Sequence, residues 1–158
     1  MSALLRGSQA QSFVESLIHA KTQLQGHHIY LTVGHVARLS GSASFDFGGS
    51  EFSDCAKELL QPHKPDPDDY GWWTLEPGTY LIEFNEDLDL PSGHVAVLQP
   101  WGQTAANGLA HPTRVLTGRH RTISVPVTVR DVEIHIKENA RLSELLVLQL
   151  GDGVARSR

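Results

Sequence analysis

The chain has 158 residues, 40% hydrophobic and 20% charged, proportions that fit one soluble globular domain around one core, residues 1–158. Thirteen basic against 18 acidic residues give a net charge of −5, which excludes a general attraction to nucleic acid or to an anionic membrane. No apolar run is long enough to cross a bilayer, MSALLRGSQAQS carries no signal-peptide hydrophobic stretch, and the lone Cys55 excludes an internal disulfide or a cysteine zinc cage. Cys55 reads as a small packed residue rather than a nucleophile. Together these features point to a cytoplasmic protein.

Residues 1–26 read as an N-terminal helical segment. Phe13, Leu17, Ala20 and Leu24 recur at helical spacing, Ser8 with Gln11 offers a capping box, and Gly26 supplies a stop. Beyond Gly26 the helical period disappears. HIYLTV at His28–Val33 is rich in β-branched and aromatic residues and predicts a strand. FDFGGSEF at Phe45–Phe52 predicts a turn at its paired glycines. PHKPDPDD at Pro62–Asp69 holds three prolines and predicts a loop.

Strands follow at Trp73–Leu75, Tyr80–Phe84 and Val95–Leu98. Thr122–Val129 predicts another, on an edge or bulged because of Pro126. Val132–Ile136 alternates apolar and polar residues, which predicts one wet face, and Leu145–Leu150 predicts a buried strand. Many short strands with Gly and Pro between them imply a mainly β sandwich or barrel.

Several groups could carry chemistry. Asp46 and Glu51 flank Gly48 and Gly49; such a pair could hold Mg²⁺ or activate water, or be two exposed acids on a loop. Glu133 shares a strand face with Asp131 and His135, most simply a solvated face. Glu83 and Glu86 read as structural or exposed. Nine histidines occur without HxH, HxxxH or HExxH spacing, so a histidine metal site is not expected. Trp72, Trp73 and Trp101 could stack on a base or pack in a core or interface.

Between Leu90 and Arg130 there is no Asp or Glu, while Arg114, Arg119, Arg121, Arg130, His94, His111 and His120 fall in or beside that interval. A basic, acid-free region suits an anion such as a triphosphate. Gln103 and Thr104 could donate from their side chains and Asn107-Gly108 from a tight loop; the plainer reading is a type I′ turn with scattered surface arginines.

Taken in order, LEPGTYLIEFNEDLDLP at Leu75–Pro91 and RLSEL at Arg141–Leu145 resemble the framework of the dUTPase/dCTP deaminase superfamily. IYLTV at Ile29–Val33 is similar to that family's early Asp-Leu strand, with Tyr30 in place of the Asp. QTAANGLA at Gln103–Ala110 occupies the place of its phosphate-binding loop, without the family's Arg. The strings DFGGSEF, GWW and HPT resemble a divergent dUTPase-like group.

The resemblance implies a dUTPase-like distorted β-barrel or jelly-roll-type sandwich with an N-terminal helix. It also implies a homotrimer with sites between subunits, and a deoxynucleoside triphosphate as ligand. Phosphate contacts would fall on Gln103, Thr104, Asn107, Gly108, His111, Arg119 and Arg141, with Asp46 or Glu51 holding Mg²⁺ or activating water. The activity it implies is hydrolysis of dUTP to dUMP and pyrophosphate. The missing acid in the Leu90–Arg130 interval favours a catalytically inactive nucleotide-binding or structural homologue as the alternative, since general acid–base work needs a titratable group at the water. A dCTP deaminase comes third, because the strand Glu it needs is absent from Thr122–Val129. The tail at residues 151–158 is too short for the Gly-rich C-terminal arm that often closes dUTPase sites.

Overall fold

A computed structural model describes residues 3–151. The tail expected at 151–158 therefore lies outside the described residues except for Gly151. The chain opens with β1 (Ala3–Leu4), α1 (Gly7–Ala10), a 3-10 turn (Gln11–Phe13), β2 (Val14–Glu15), α2 (Ala20–Gln23) and β3 (Leu24–Gln25). It continues through β4 (His28–Ser40), β5 (Ala56–Leu59), β6 (Trp72–Leu75), β7 (Gly78–Phe84), β8 (Asp87–Asp89) and β9 (His94–Pro100). After α3 (Gly102–Ala106) come β10 (Leu109–Ala110), β11 (Arg114–Leu116), β12 (Arg119–His120), β13 (Ser124–Val129), β14 (Ile134–Lys137) and β15 (Arg141–Gln149).

The expected N-terminal helix is broken into two single turns. Gln9 Oε1 accepts from the Arg6 backbone N–H at 2.8 Å, so the reciprocal cap sits two residues before the expected Ser8–Gln11 box. Ser16 at φ 63° breaks the helical path, and β2 then pairs with β8. Gly26 at φ 60° closes a hairpin between β3 and β4 rather than a helix. Sheet pairing supplied the hydrogen bonds that helical spacing had suggested would be local.

The main sheet has the order β10-β13-β7-β4-β15-β9-β11 and is strongly curled because β4 serves both halves. Residues 28–32 of β4 pair with β15, whereas Val33–Arg38 pair with β7. The change occurs at a register shift between Val33 and His35. A Cβ on Gly34 would lie 2.6 Å from Asn85 Oδ1, so a side chain at this bend would displace Asn85 from its hydrogen bonds. The bend also switches the inward face: Ile29, Leu31 and Val33 point inward before it and Val36 after it.

The core lies between the two halves. Ile29, Leu31, Ala96, Leu98, Leu145 and Val147 come from one, and Val36, Tyr80, Ile82, Val125 and Val127 from the other. Each fully buried Leu, Ile or Val contributes about 1.5–3 kcal/mol of apolar transfer. Pro126 stands opposite Leu81, while β10 covers only Thr128 and Val129 on the other side, so the proline sits where β13 is an edge.

Trp73 packs in the core and donates its indole N–H to the Leu60 carbonyl at 3.0 Å. Trp72 stays at the surface, with its indole N–H on Asp68 at 3.2 Å and Lys137 Nζ 5.3 Å over its ring. These contacts tie the Pro62–Asp69 loop to the β6–β14 pair. Glu86 is fully buried. Its carboxylate accepts from the Gln23 side chain at 2.7 Å, the Thr32 hydroxyl at 2.5 Å and the Thr32 backbone N–H at 2.9 Å.

Candidate functional site

The Gln103–Ala110 stretch begins where β9 ends. The Trp101 backbone N–H donates to the Leu142 carbonyl at 3.0 Å, and α3 follows as a single turn. Asn107 has φ −105°, so Asn107-Gly108 is not a type I′ turn, which needs positive φ at both residues. Instead Asn107 Nδ2 donates to the Gln103 carbonyl at 2.8 Å, and Gly108 at φ 89° carries the chain into β10.

The backbone N–H groups of Thr104, Ala105, Asn107 and Gly108 all donate to carbonyls of the same turn. The Gly108 amide, expected to face a phosphate, is thus bonded within its own turn, and the Gln103 and Thr104 side chains stand beside it.

Gln103, Thr104, Asn107 and Trp101 form one wall of a hollow of about 180 Å³. Leu109 closes its base, β14 supplies Ile134, His135 and Ile136, and β15 supplies Ala140 and Leu142. No carboxylate lines it. A second hollow of about 250 Å³ lies beyond Ala140, bounded by Thr22, Gln23, Thr32, Asn139 and Arg141.

Arg141 lines the second hollow, and its guanidinium reaches Trp101, a wall residue of the first. Its guanidinium lies 5.2 Å from the Tyr30 ring centre and 5.0 Å from that of Trp101, and Nη1 donates to the Thr22 carbonyl at 3.3 Å. The two rings meet edge-on at 5.3 Å, and His28 stacks on Tyr30 at 6.0 Å. Tyr30, in the place of the family's Asp, is therefore part of a shelf that fixes a cation. Glu144 stands directly across from Tyr30 in the β4–β15 pair and is taken up by Gln99 at 2.5 Å and His28 at 3.1 Å.

His111 is half-buried. Its Nδ1–H donates to the Pro112 carbonyl at 2.9 Å and Nε2 accepts from the buried Ser143 hydroxyl at 2.8 Å. Burial, with the nearby Arg114 charge, pushes His111 below the ordinary histidine value. Both ring nitrogens are engaged, and the bond to Ser143 ties the Ala110–Thr113 segment to β15.

The remaining predicted residues do not join this group within one chain. Arg114 stands opposite Leu98 and Leu116 opposite Ala96, so the chain runs away from Trp101 before it reaches Arg119. Arg119 pairs with Asp89 at 3.8 Å, in a small depression shared with Glu15, Asp87 and Arg121.

Asp46 and Glu51 sit on the tip between β4 and β5. Ser40, the end of β4, is eight residues past Thr32, which pairs with Arg141; that is roughly 26 Å of strand. Phe45 and Phe52, 5.6 Å apart, and paired Ser44 and Ser53 brace the tip. Asp46 Oδ2 accepts from the Ser50 N–H at 3.1 Å, and Oδ1 is shielded with no partner.

Among the described residues no three His, Cys, Asp or Glu side chains converge to hold a metal ion. The partnerless Asp46 oxygen still fits Mg²⁺, which commonly takes one or two carboxylates and completes its shell with water and phosphate.

Sequence reasoning missed the buried Glu86 network, which had no motif. The strand face that Glu133 shares with His135 is solvent-exposed, and the two side chains pair there at 2.9 Å.

No family model matches the chain. A probable deoxyuridine 5′-triphosphate nucleotidohydrolase of Methanosarcina barkeri is 29% identical over 147 residues, 92% of this chain and 83% of that protein. One of Halobacterium salinarum is 25% identical over 147 residues, 93% of this chain and 86% of its own length. The solved 2′-deoxycytidine 5′-triphosphate deaminase of Agrobacterium tumefaciens superposes with a TM-score of 0.66 at 16% identity, over 95% of this chain. The match spans 49% of that deaminase chain, about half its length, and shows a shared fold. The chain is thus similar along most of its length to proteins named as probable dUTP nucleotidohydrolases and shares the curled β fold of a dCTP deaminase, which supports a dUTPase/dCTP deaminase-like superfamily member.

Proposed function

We propose that the protein binds a deoxynucleoside triphosphate at the Trp101 hollow and the neighbouring Arg141 and hydrolyses dUTP to dUMP and pyrophosphate. The observation that carries this reading is Arg141, a cation fixed between two aromatic rings beside a carboxylate-free hollow. A guanidinium and the side chains of Gln103, Thr104 and Asn107 suit phosphate oxygens, and the rings offer stacking surface to a base. The relatives named as dUTP nucleotidohydrolases support the choice of dUTP.

The hollow of about 180 Å³ is smaller than the roughly 300–1,000 Å³ usual for small-molecule sites. A second copy of the chain would supply the missing wall, and a homotrimer is the assembly proposed. In that assembly the β4–β5 tip of one copy brings Asp46 and Glu51 to the nucleotide of the next, and Arg119 approaches from another face. Mg²⁺ held at Asp46 would neutralise phosphate charge. Arg141→Ala is expected to raise KM for dUTP at least about tenfold, the loss of one charge-assisted contact. An unchanged KM would remove Arg141 from the site. If Asp46→Asn and Glu51→Gln both keep full turnover, neither carboxylate holds the metal.

A second reading is a nucleotide-binding protein without turnover, favoured by the absence of any carboxylate lining the hollow. A nucleotide-dependent rise in Tm with no product would establish it. Ammonia released from dCTP would instead establish the third reading, a deaminase.

A further inference from the structure

The tip between β4 and β5 carries an apolar point into water. Phe45 and Phe52 pack on each other at 5.6 Å yet stay exposed, and Phe47 at the apex is fully exposed. Gly48 and Gly49 follow it, and Asp46 and Glu51 stand on either side. Three phenylalanines close together on a surface mark a contact with another molecule.

The Trp101 hollow has the complementary character. Leu109, Ile136 and Leu142 are buried and form its floor, whereas Gln103 and Asn107 are exposed at its rim. Its volume of about 180 Å³ is close to the roughly 150 Å³ of an apolar cavity that takes a benzene ring. No carboxylate lines it, and the Arg141 guanidinium lies 5.0 Å from the centre of the Trp101 ring. A phenyl ring between two acids therefore matches a ring-sized hollow beside a cation, in shape and in charge. One chain does not make this match. Thr32 pairs with Arg141, and β4 runs on from there to Ser40 and carries the tip away.

We propose that Phe47 of one copy docks into the Trp101 hollow of a second copy, with Asp46 and Glu51 turned toward Arg141. This docking rests on the proposed sharing of the site between copies and not on hydrolysis. Tip and hollow are different surfaces, so the contact is head-to-tail, and its closure into a ring gives the proposed trimer. The phenyl ring takes the buried floor and leaves the Gln103 and Asn107 side chains at the rim for phosphate. Consecutive Cα atoms lie about 3.8 Å apart, so seating Phe47 carries Asp46 to that rim.

The test places the photo-cross-linking residue p-benzoyl-phenylalanine at position 47 of the full-length, nucleotide-free protein and maps the adducts by mass spectrometry. Adducts between chains at Trp101, Leu109 or Ile136 are expected. Arg141→Glu should lower their yield, because it sets like charges against each other; an unchanged yield would overturn the charge match. Phe47→Ser should lower the association constant read by sedimentation at least about tenfold, the loss of one buried aromatic side chain. Its Tm as a monomer should equal that of the unsubstituted chain, since Phe47 is exposed there. Adducts confined to single chains, or formed between chains outside the hollow, would overturn the docking. So would an unsubstituted protein that sediments as a monomer, or a Phe47→Ser assembly as tight as the unsubstituted one. Cleavage of dUTP, measured alongside, separates the two readings. A protein that cleaves dUTP without these adducts keeps hydrolysis and loses the docking. One that forms the adducts but neither binds nor cleaves dUTP keeps the docking and loses the nucleotide reading.

Discussion

Glu86 is where a single residue does most to fix the fold around the site. It receives three hydrogen bonds, two from Thr32 and one from Gln23, and so joins the N-terminal segment to β4. Asn85 extends the tie to Thr32, the Val33 carbonyl and Asn139, at the turn that leads to Arg141. Burial raises the Glu86 carboxyl above its ordinary value of 4.5, and the donated hydrogen bonds oppose that rise only in part. A raised folded-state value means that this group's contribution to stability is complete below 4.5 and is lost as pH climbs through the folded value. Glu86→Gln should flatten that part of the stability curve and cost about 1–3 kcal/mol, since one of its donors then meets an amide; urea unfolding at several pH values reads both effects. His111 has the opposite sign. Its value is lowered from 6.5, so its contribution is present above 6.5 and lost as pH falls below it. His111→Gln should remove that part of the acid loss. Asp68, held at about 2 by Lys137 and Trp72, keeps its contribution from 3.8 upward and loses it as pH falls toward 2.

Among the elements, β4 decides the geometry, because it pairs with β15 before its bend and with β7 after it. Gly34→Ala should cost about 1–3 kcal/mol by forcing a Cβ against Asn85, and thermal unfolding measures it. An unchanged Tm would mean that the bend tolerates a side chain. Most strands were legible from β-branched runs between Gly and Pro, and Pro126 correctly marked an edge. The N-terminal segment was not legible, because Phe13, Leu17 and Leu24 satisfy helical spacing while their backbone bonds to β8 and β4. At the candidate site, Gln103, Thr104 and Asn107 line one hollow with Trp101, and Arg141 reaches the Trp101 ring from the next. The order of motifs could not show that α3 spends its own amides internally, nor that the strand directions carry Arg119 and Asp46 away. Those depend on pairing partners far apart in sequence. The alternation Glu133, His135 was visible, and the pair lies on the exposed face that alternation signals.

At the scale of the whole molecule, a small, open hollow and a distant acidic tip are two halves that one copy does not bring together. The proposed homotrimer would join them, and sedimentation should then give three times the 17.4 kDa chain. A monomer at the concentrations where dUTP is cleaved would contradict a site shared between copies. The measurement that tests the central claim most directly is incubation of the purified protein with each deoxynucleoside triphosphate and Mg²⁺, followed by separation of the products. Conversion of dUTP to dUMP and pyrophosphate is the expected result. No product from any substrate, with no nucleotide raising the Tm, would contradict it.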